Sequence, residues 1–312
     1  MYDETRTALA KLNLPKADDL TPGVSAKRFA DGAQVRVEIP SCEGPDVLRA
    51  VLEEAERLQV PVHRVSQGSG IMLQTDQEIR EMVKLGAEAG IEISLFVGPH
   101  AGWHLSAFSK AKDGGIAQSR ITGAEMMVHA IEDVKRAYGL GIRSVLVSDE
   151  GLLWVMNEMR CTGDIGADMH FKVSVSMGVT NPATAYLMER SGANTINVIT
   201  DLAVPQIAAV RAAISKPIDL YVEVPDDMGG FVRYFEIPEL IYYCAPIYIK
   251  FGIRNAPNIY PSGGHIVETA IKLGRERVRR ARIGLEMIER HTPEVKISAT
   301  KQRHADLGVP VV

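Results

Sequence analysis

FKVSVSMGVTNPATAYLMERSGANTINVITDLAVPQIAAVRAAISKPIDLYVEV (171–224) holds three short β-branched runs separated by two segments of helical period. FKVSVS (171–176), TINVI (195–199) and IDLYVEV (218–224) are too short for helices and are flanked by glycine, proline and asparagine, as buried strands are. Asn181 and Pro182 open a helix that Gly192 closes, the usual pairing of proline at a helix start with glycine at its end. Asp201 is expected to cap the next helix, and Lys216-Pro217 to lead out of it into the third strand. Strands alternating with helices in this order build a parallel sheet covered by helices.

Outward from that stretch, five more runs have the same character: VRVEIP (35–40), PVHRVS (61–66), IEISLFV (91–97), RSVLVS (143–148) and PIYIKFG (246–252). Pro45 starts a helix with Leu48, Val51, Leu52 and Ala55 on one face. Thr75 with Glu78 forms a capping box ahead of Ile79, Met82 and Val83. An open doubly wound sheet would carry a glycine-rich phosphate turn after its first strand, whereas this chain runs on as SCEGPDV (41–47). Eight strands therefore predict a (β/α)8 TIM barrel. Its 312 residues exceed the roughly 250 typical of that fold. The expected layout is one domain, 1–312, with the barrel over about 35–290, an N-terminal extension 1–34 and a C-terminal tail 291–312.

Two stretches exceed a minimal barrel. GPHAGWHLSAFSKAKDGGIAQSRITG (98–123) is far longer than the usual connection of about 2–6 residues and is expected to be a mobile cover. The tail has weak periodicity and is expected either to pack on a neighbouring subunit or to hang free.

A net charge of −4 and a pI near 6.1 give no electrostatic reason to bind nucleic acid or an anionic membrane. The one basic run, RERVRRARIGLEMIER (275–290), mixes its arginines with Val278, Ile283, Leu285, Ile288 and three glutamates, so it reads as a solvated helix face. Cys42, Cys161 and Cys244 are scattered and odd in number, which fits a reducing compartment and supplies no metal pair. The N-terminal segment lacks an apolar signal core, and no stretch reaches the roughly 18 apolar residues of a membrane span. A cytoplasmic protein is expected, with a small-molecule substrate as its partner and a homodimer as the plausible assembly.

Barrel strands point alternate side chains at the axis, so polar residues at every second position face the interior or its mouth. Arg36, Glu38, Glu92, Ser94, Lys172, Ser174, Ser176, Thr195, Asn197, Asp219, Tyr221, Glu223, Tyr248 and Lys250 fall in that phase. A passive scaffold would place aliphatic residues there, because an unpaired buried charge costs several kcal/mol. Arg36, Glu92, Lys172 and Asp219 begin their strands and read as a structural charge layer at the bottom. Glu38, Glu223 and Lys250 lie nearer the carboxyl ends, where barrel enzymes act, and are the candidate catalytic residues. Lys250, between Tyr248, Ile249 and Phe251, is expected to be desolvated, as suits a general base or Schiff-base nucleophile.

Gln67, His100, Ser176, Asn197 and Arg254 are the candidate substrate contacts, joined by Gly263 and Gly264, whose amides at the start of the last helix would attract an anion. His63 reads as a hydrogen-bonded wall residue. Asp149 and Glu150 could hold a divalent cation, Mg or Mn, because hard ions prefer carboxylates.

RVEIP (36–40), GANTINVITDLAVPQI (192–207) and YVEVPDD (221–227) resemble the barrels of U32-type peptidases. That resemblance implies a barrel and a hydrolase acting on peptides or amides. Some related barrels hydroxylate RNA bases or quinone precursors with a cysteine-bound iron–sulfur cluster. Cys42, Cys161 and Cys244 do not match the family's clustered cysteines, so no iron–sulfur cluster is expected here and no catalytic residue carries across.

The reading that follows is an enzyme acting on a small anionic or polyol metabolite by acid–base or metal-assisted chemistry, of lyase or isomerase type. The alternatives are a U32-like hydrolase and a non-catalytic ligand-binding barrel, the latter favoured if the 98–123 segment blocks the mouth.

Overall fold

A computed structural model describes residues 2–302 and 304–312. Its eight strands are β1 (Val35–Ile39), β2 (Val62–Ser66), β3 (Glu92–Phe96), β4 (Ser144–Val147), β5 (His170–Val173), β6 (Thr195–Asn197), β7 (Ile218–Glu223) and β8 (Ile247–Phe251). They pair in parallel, each with the next, and β8 returns to β1, closing the barrel. The helices are α1 (Asp3–Lys11), α2 (Pro45–Leu58), α3 (Asp76–Ala89), α4 (Ala107–Lys110), α5 (Gly123–Gly139), α6 (Glu150–Thr162), α7 (Pro182–Arg190), α8 (Val204–Ala213), α9 (Ile237–Cys244) and α10 (Val267–His291). No described helix is long and apolar enough to cross a membrane.

The fold follows from alternation. Val35, Val37 and Ile39 of β1 join one continuous apolar shell with Leu48 and Val51 of α2 and Val278 and Ala281 of α10, while Arg36 and Glu38 between them point to the axis. Burying such a shell on the helix side is the dominant drive to fold, at roughly 25 cal/mol per Å² of apolar surface.

The expected caps form at two helices. Thr75 Oγ1 accepts from the Glu78 amide while the Glu78 carboxylate accepts from the Thr75 amide. Asn181 Oδ1 accepts from the Thr184 amide ahead of α7, and Gly192 follows its end at a φ of 100°. Asp201 does not cap α8. That helix starts later, at Val204, and the Gln206 side chain accepts the Ala203 amide instead.

The described residues of the tail do not hang free. They strap the amino-terminal end of their own barrel. Ser298 Oγ accepts from Arg36 Nε at 2.9 Å, Asp306 pairs with Arg36 at 2.9 Å, and Glu92 accepts from the Gly308 amide at 3.2 Å. Leu307 and Val309 pack with Phe29, Ala33 and Tyr248 as a small apolar plug. Single polar contacts to a fixed surface need no periodic pattern, which is why the tail looked featureless.

The 98–123 segment is not a structureless loop. It holds short helical turns at Ala101–Trp103, α4 and Lys112–Ala117, and it is tied to the β4 end of the barrel. Arg120 donates to the Ser148 carbonyl and pairs with Glu150 at 2.9 Å, while His100 meets Phe96 edge-on and lies tilted against Trp103.

Candidate active site

Inside the barrel, charged side chains from five strands converge. Glu38 Oε2 accepts from Arg64 at 2.5 and 2.8 Å, and Glu38 Oε1 accepts from Ser66 Oγ at 2.7 Å. Lys172 Nζ and Lys250 Nζ each lie 3.4 Å from Glu38 Oε1. Asp219 accepts from Arg64 at 2.5 Å and from Thr195 Oγ1 at 3.0 Å, and it lies 3.1 Å from Lys172 Nζ. The Arg64 guanidinium stacks on the Tyr248 ring at 3.7 Å. Three cations thus surround two carboxylates with almost no solvent contact, a setting in which pairing decides whether each charge is tolerable.

Lys172 and Asp219 were expected in a separate bottom layer. They belong instead to the same layer as Glu38, because strand stagger in a closed barrel raises the start of β5 and β7 to the level of the middle of β1. Arg36 and Glu92 do occupy the bottom, held by the tail.

Electrostatics sort the roles. Burial by itself would raise the Glu38 carboxyl, but Arg64, then Lys172 and Lys250, hold it well below the ordinary carboxylate range. Glu38 is therefore a permanent anion at neutral pH and too weak a base to shuttle protons; it acts as a fixed counter-ion. Burial lowers the Lys172 pKa, opposed by Asp219 and Glu38.

Lys250 lies beside Tyr221. Its Nζ sits 4.0 Å from the Tyr221 ring centroid. With the Asn197 amide oriented to satisfy its neighbours, Asn197 Oδ1 accepts from Lys250 Nζ at 2.8 Å. The Tyr221 ring is in turn part of the lining of a cavity of about 670 Å³ at the carboxyl ends of the strands, along with Phe96, Leu146, Ser174, Ser176 and Phe231. No residue of 98–123 is among that lining.

Glu223 is not part of this group. The β7–β8 register shifts between Tyr221 and Glu223, which takes Glu223 out of the inward phase. Its carboxylate accepts from Tyr234 Oη at 2.7 Å and from the Arg254 amide at 2.9 Å, with Arg280 of α10 at 3.8 Å. The structure thus brings Glu38 and Lys250 together and leaves Glu223 elsewhere.

The other predicted contacts divide. Ser176 lines the cavity, on a turn just past β5, and bonds to Ser174 Oγ at 2.8 Å. Gln67 is buried in bracing its own turn, through Gly70 and the Phe96 amide. His100 is held by the Gln118 carbonyl at 2.7 Å. Arg254 is exposed and paired with Asp226 at 2.9 Å. Gly263 and Gly264 precede α10 by several residues and lie in an exposed turn, so their amides are not its first-turn donors. Asp149 caps α6 through the Leu152 amide and also accepts the Ile121 amide, and Glu150 is paired with Arg120. Among the described residues no group of three or more His, Cys, Asp or Glu side chains is placed to hold a metal ion.

Arg64 was missed although it shares the phase of Ser66 on β2, the same signal that picked out the other strands. Glu43, just after β1, was also missed. Its carboxylate accepts from the Gly68 and Ser69 amides, and Ser69 Oγ accepts from the Ser262 amide, so one acid ties the loops after β1, β2 and β8 together. No periodicity marks such a residue.

No protein-family model and no curated protein matches the chain. Solved barrels do. A provisionally assigned fructose-1,6-biphosphate aldolase from Coccidioides immitis is 13% identical, covering 83% of this chain and 92% of that one at a TM-score of 0.51. A Rubisco-like protein from Rhodopseudomonas palustris is 10% identical over 86% of this chain and 70% of its own, also at 0.51. A U32 peptidase structure is 14% identical over 72% of this chain and 96% of its own at 0.41. The U32 resemblance is therefore one among several barrels. At such identities these proteins share with the chain an eight-stranded α/β barrel, and its chemistry must be read from its own residues.

Proposed function

We propose that this chain is an enzyme of lyase or isomerase type that moves a proton on a small metabolite held at the barrel mouth, with Lys250 as the acid–base group and Glu38 as its fixed counter-ion. The observation that carries this reading is Lys250 itself: a buried ammonium held by Glu38 and Asn197, one aromatic ring below a cavity of about 670 Å³. With the Tyr221 ring turned aside, an ammonium there can give its proton to a developing oxyanion or stabilise it in place, in a setting where water does not screen the charge. Arg64 and Lys172 hold Glu38 ionised and, with the Ser66 hydrogen bond, in place, so that Lys250 keeps one position.

Incubation in D2O with a panel of small 2-oxo acids, hydroxy acids and polyols, with and without Mg²⁺ or Mn²⁺, reads the reaction as loss of a substrate C–H signal by proton NMR. The wild-type protein should exchange at least one compound. Lys250→Met should slow that exchange by about 10²–10⁴-fold, with its melting temperature within a few degrees because Arg64 and Lys172 still neutralise Glu38. Exchange at the wild-type rate in Lys250→Met would remove Lys250 from the chemistry.

A further inference from the structure

Arg277 lies on the face of α10 that also carries Gly274, Val278 and Ala281, and it is 2% exposed. Among the described residues it makes no ion pair. One of its terminal nitrogens donates a long 3.5 Å bond to the Ser41 carbonyl, and its Nε has no acceptor. A guanidinium sealed from water with no directly paired carboxylate and an Nε–H left without an acceptor is costly, so an arrangement like this points to a missing acceptor group.

The space for one exists. Arg277 lines a cleft of about 50 Å³ with Ser41, Tyr221, Gly252, Asn258 and Tyr260. One buried water needs about 10–15 Å³ on this scale, so the cleft accepts a group of three or four heavy atoms. Tyr221, Met228 and Tyr260 are shared with the large mouth cavity, which makes the two spaces neighbours. Tyr260 is anchored to Ser41 through its hydroxyl and lies flat against Gly68, where a Cβ would meet the ring at 2.5 Å.

The charge environment selects the anion. Asp227 also lines the cleft, and the Glu43 carboxylate is close enough to Arg277 to feel its charge. Two nearby carboxylates and a single guanidinium disfavour a phosphate dianion. A carboxylate, planar and singly charged, matches the fork of one arginine. The adjoining cavity then describes the rest of the ligand, since Phe96, Leu146, Tyr221, Met228 and Phe231 present mostly apolar and aromatic surface.

We infer that the ligand of this barrel is a carboxylic acid with an apolar or aromatic body, its carboxylate received by Arg277 and its body lying in the mouth cavity above Tyr221. This rests on the reading of the mouth as a substrate site and names the substrate class for it. Arg277 is then a substrate-binding residue, in the place expected of Arg254 and the Gly263–Gly264 amides.

Calorimetric titration of the intact protein with 3-phenylpropionate, 3-phenylpropionamide and inorganic phosphate tests it. The acid should bind, the amide should bind at least about tenfold more weakly, and phosphate should not compete. Arg277→Met should weaken the acid at least about tenfold and leave the amide unchanged, with Arg277→Lys intermediate. Without ligand, Arg277→Met should melt no lower than wild type, since an unpaired buried cation is gone. Equal binding of acid and amide, wild-type affinity in Arg277→Met, competition by phosphate, or a fall of more than about 5 °C in its ligand-free melting temperature would each overturn the assignment.

Lys250→Met separates this from the reaction proposed above, because it should bind the acid normally. Acid binding that depends on Arg277, with no proton exchange on any panel compound, would leave the carboxylate site standing and sink the lyase or isomerase reading. Exchange on polyols alone, with no acid binding, would do the reverse.

Discussion

Arg64→Met should destabilise the protein by about 3–5 kcal/mol, the cost of leaving buried carboxylates without their partner. In a chain of this size that lowers the melting temperature by about 5–10 °C. Arg64 is 0% exposed and donates at once to Glu38, Asp219 and Thr195, with Glu92 at 3.6 Å and Tyr248 beneath its plane. Methionine fills part of the volume and supplies none of the donors, so what the measurement reads is charge. Lys172, beside Glu38 and Asp219, and Lys250, beside Glu38, are the cations left, and neither supplies the paired donors that Arg64 gives to both carboxylates. Combining Arg64→Met with Glu38→Gln removes one of the stranded anions. The double variant should therefore be more stable than the sum of the two single losses by at least about 1 kcal/mol, the coupling expected of residues in contact. Scanning calorimetry on the four proteins decides the matter, and a melting temperature for Arg64→Met within 2 °C of wild type would mean that the network does not hold the barrel.

A second large effect is expected from acid. His63 accepts the Val37 amide through Nδ1 at 3.0 Å, which places its proton on Nε2, where it donates to the Ser298 carbonyl at 2.8 Å. Protonation would put a hydrogen on Nδ1 facing the Val37 N–H, donor against donor, at the point where the tail is strapped to β1 and β2. Burial first, helped by the charge of Arg36 and opposed by the Ser298 bond, accordingly pushes the imidazole from its ordinary 6.5 down to about 4. Between those two values the unfolded chain takes up a proton that the folded one refuses. The stability this group contributes is thus complete above pH 6.5 and lost as the pH falls towards 4, by about 3 kcal/mol over the interval. Asp133, raised by burial to about 6, and Glu43, also raised by burial, run the other way in acid, so the raw stability curve mixes opposite slopes.

His63→Gln isolates the histidine. The glutamine oxygen can accept from Val37 and its nitrogen can donate to Ser298 without titrating. The variant should be slightly less stable than wild type at pH 7 and should overtake it by pH 4.5. Urea unfolding curves that stay parallel from pH 7 to 4.5 would show that His63 carries no such load.

Much of this molecule is visible in its residue pattern. A strand buried on both faces of a barrel must alternate, and alternation is local, so each of the eight runs could be placed to within a few residues without knowing its neighbours. The same rule located Glu38, Lys172, Asn197, Asp219, Tyr221 and Lys250 on the axis, and applied to β2 it would have included Arg64. Arg277 was hidden differently. It sits in a basic run whose exposed members suggest a solvated face, yet its spacing from Ala270, Gly274, Val278, Ala281 and Leu285 places it on the buried stripe of α10.

What no local pattern contained is the consequence of closure. The stagger of a closed barrel decides which strand positions share a level, so Lys172 and Asp219 came to meet Glu38 although they open their strands. A register shift in β7 removed Glu223 from the group, and a strap of isolated polar contacts sealed the bottom. Periodicity reports which side of one element a residue faces. Which residues then touch depends on how eight elements are offset against one another, and that offset is a property of the assembled sheet, set by twist, tilt and packing across residues far apart in the chain.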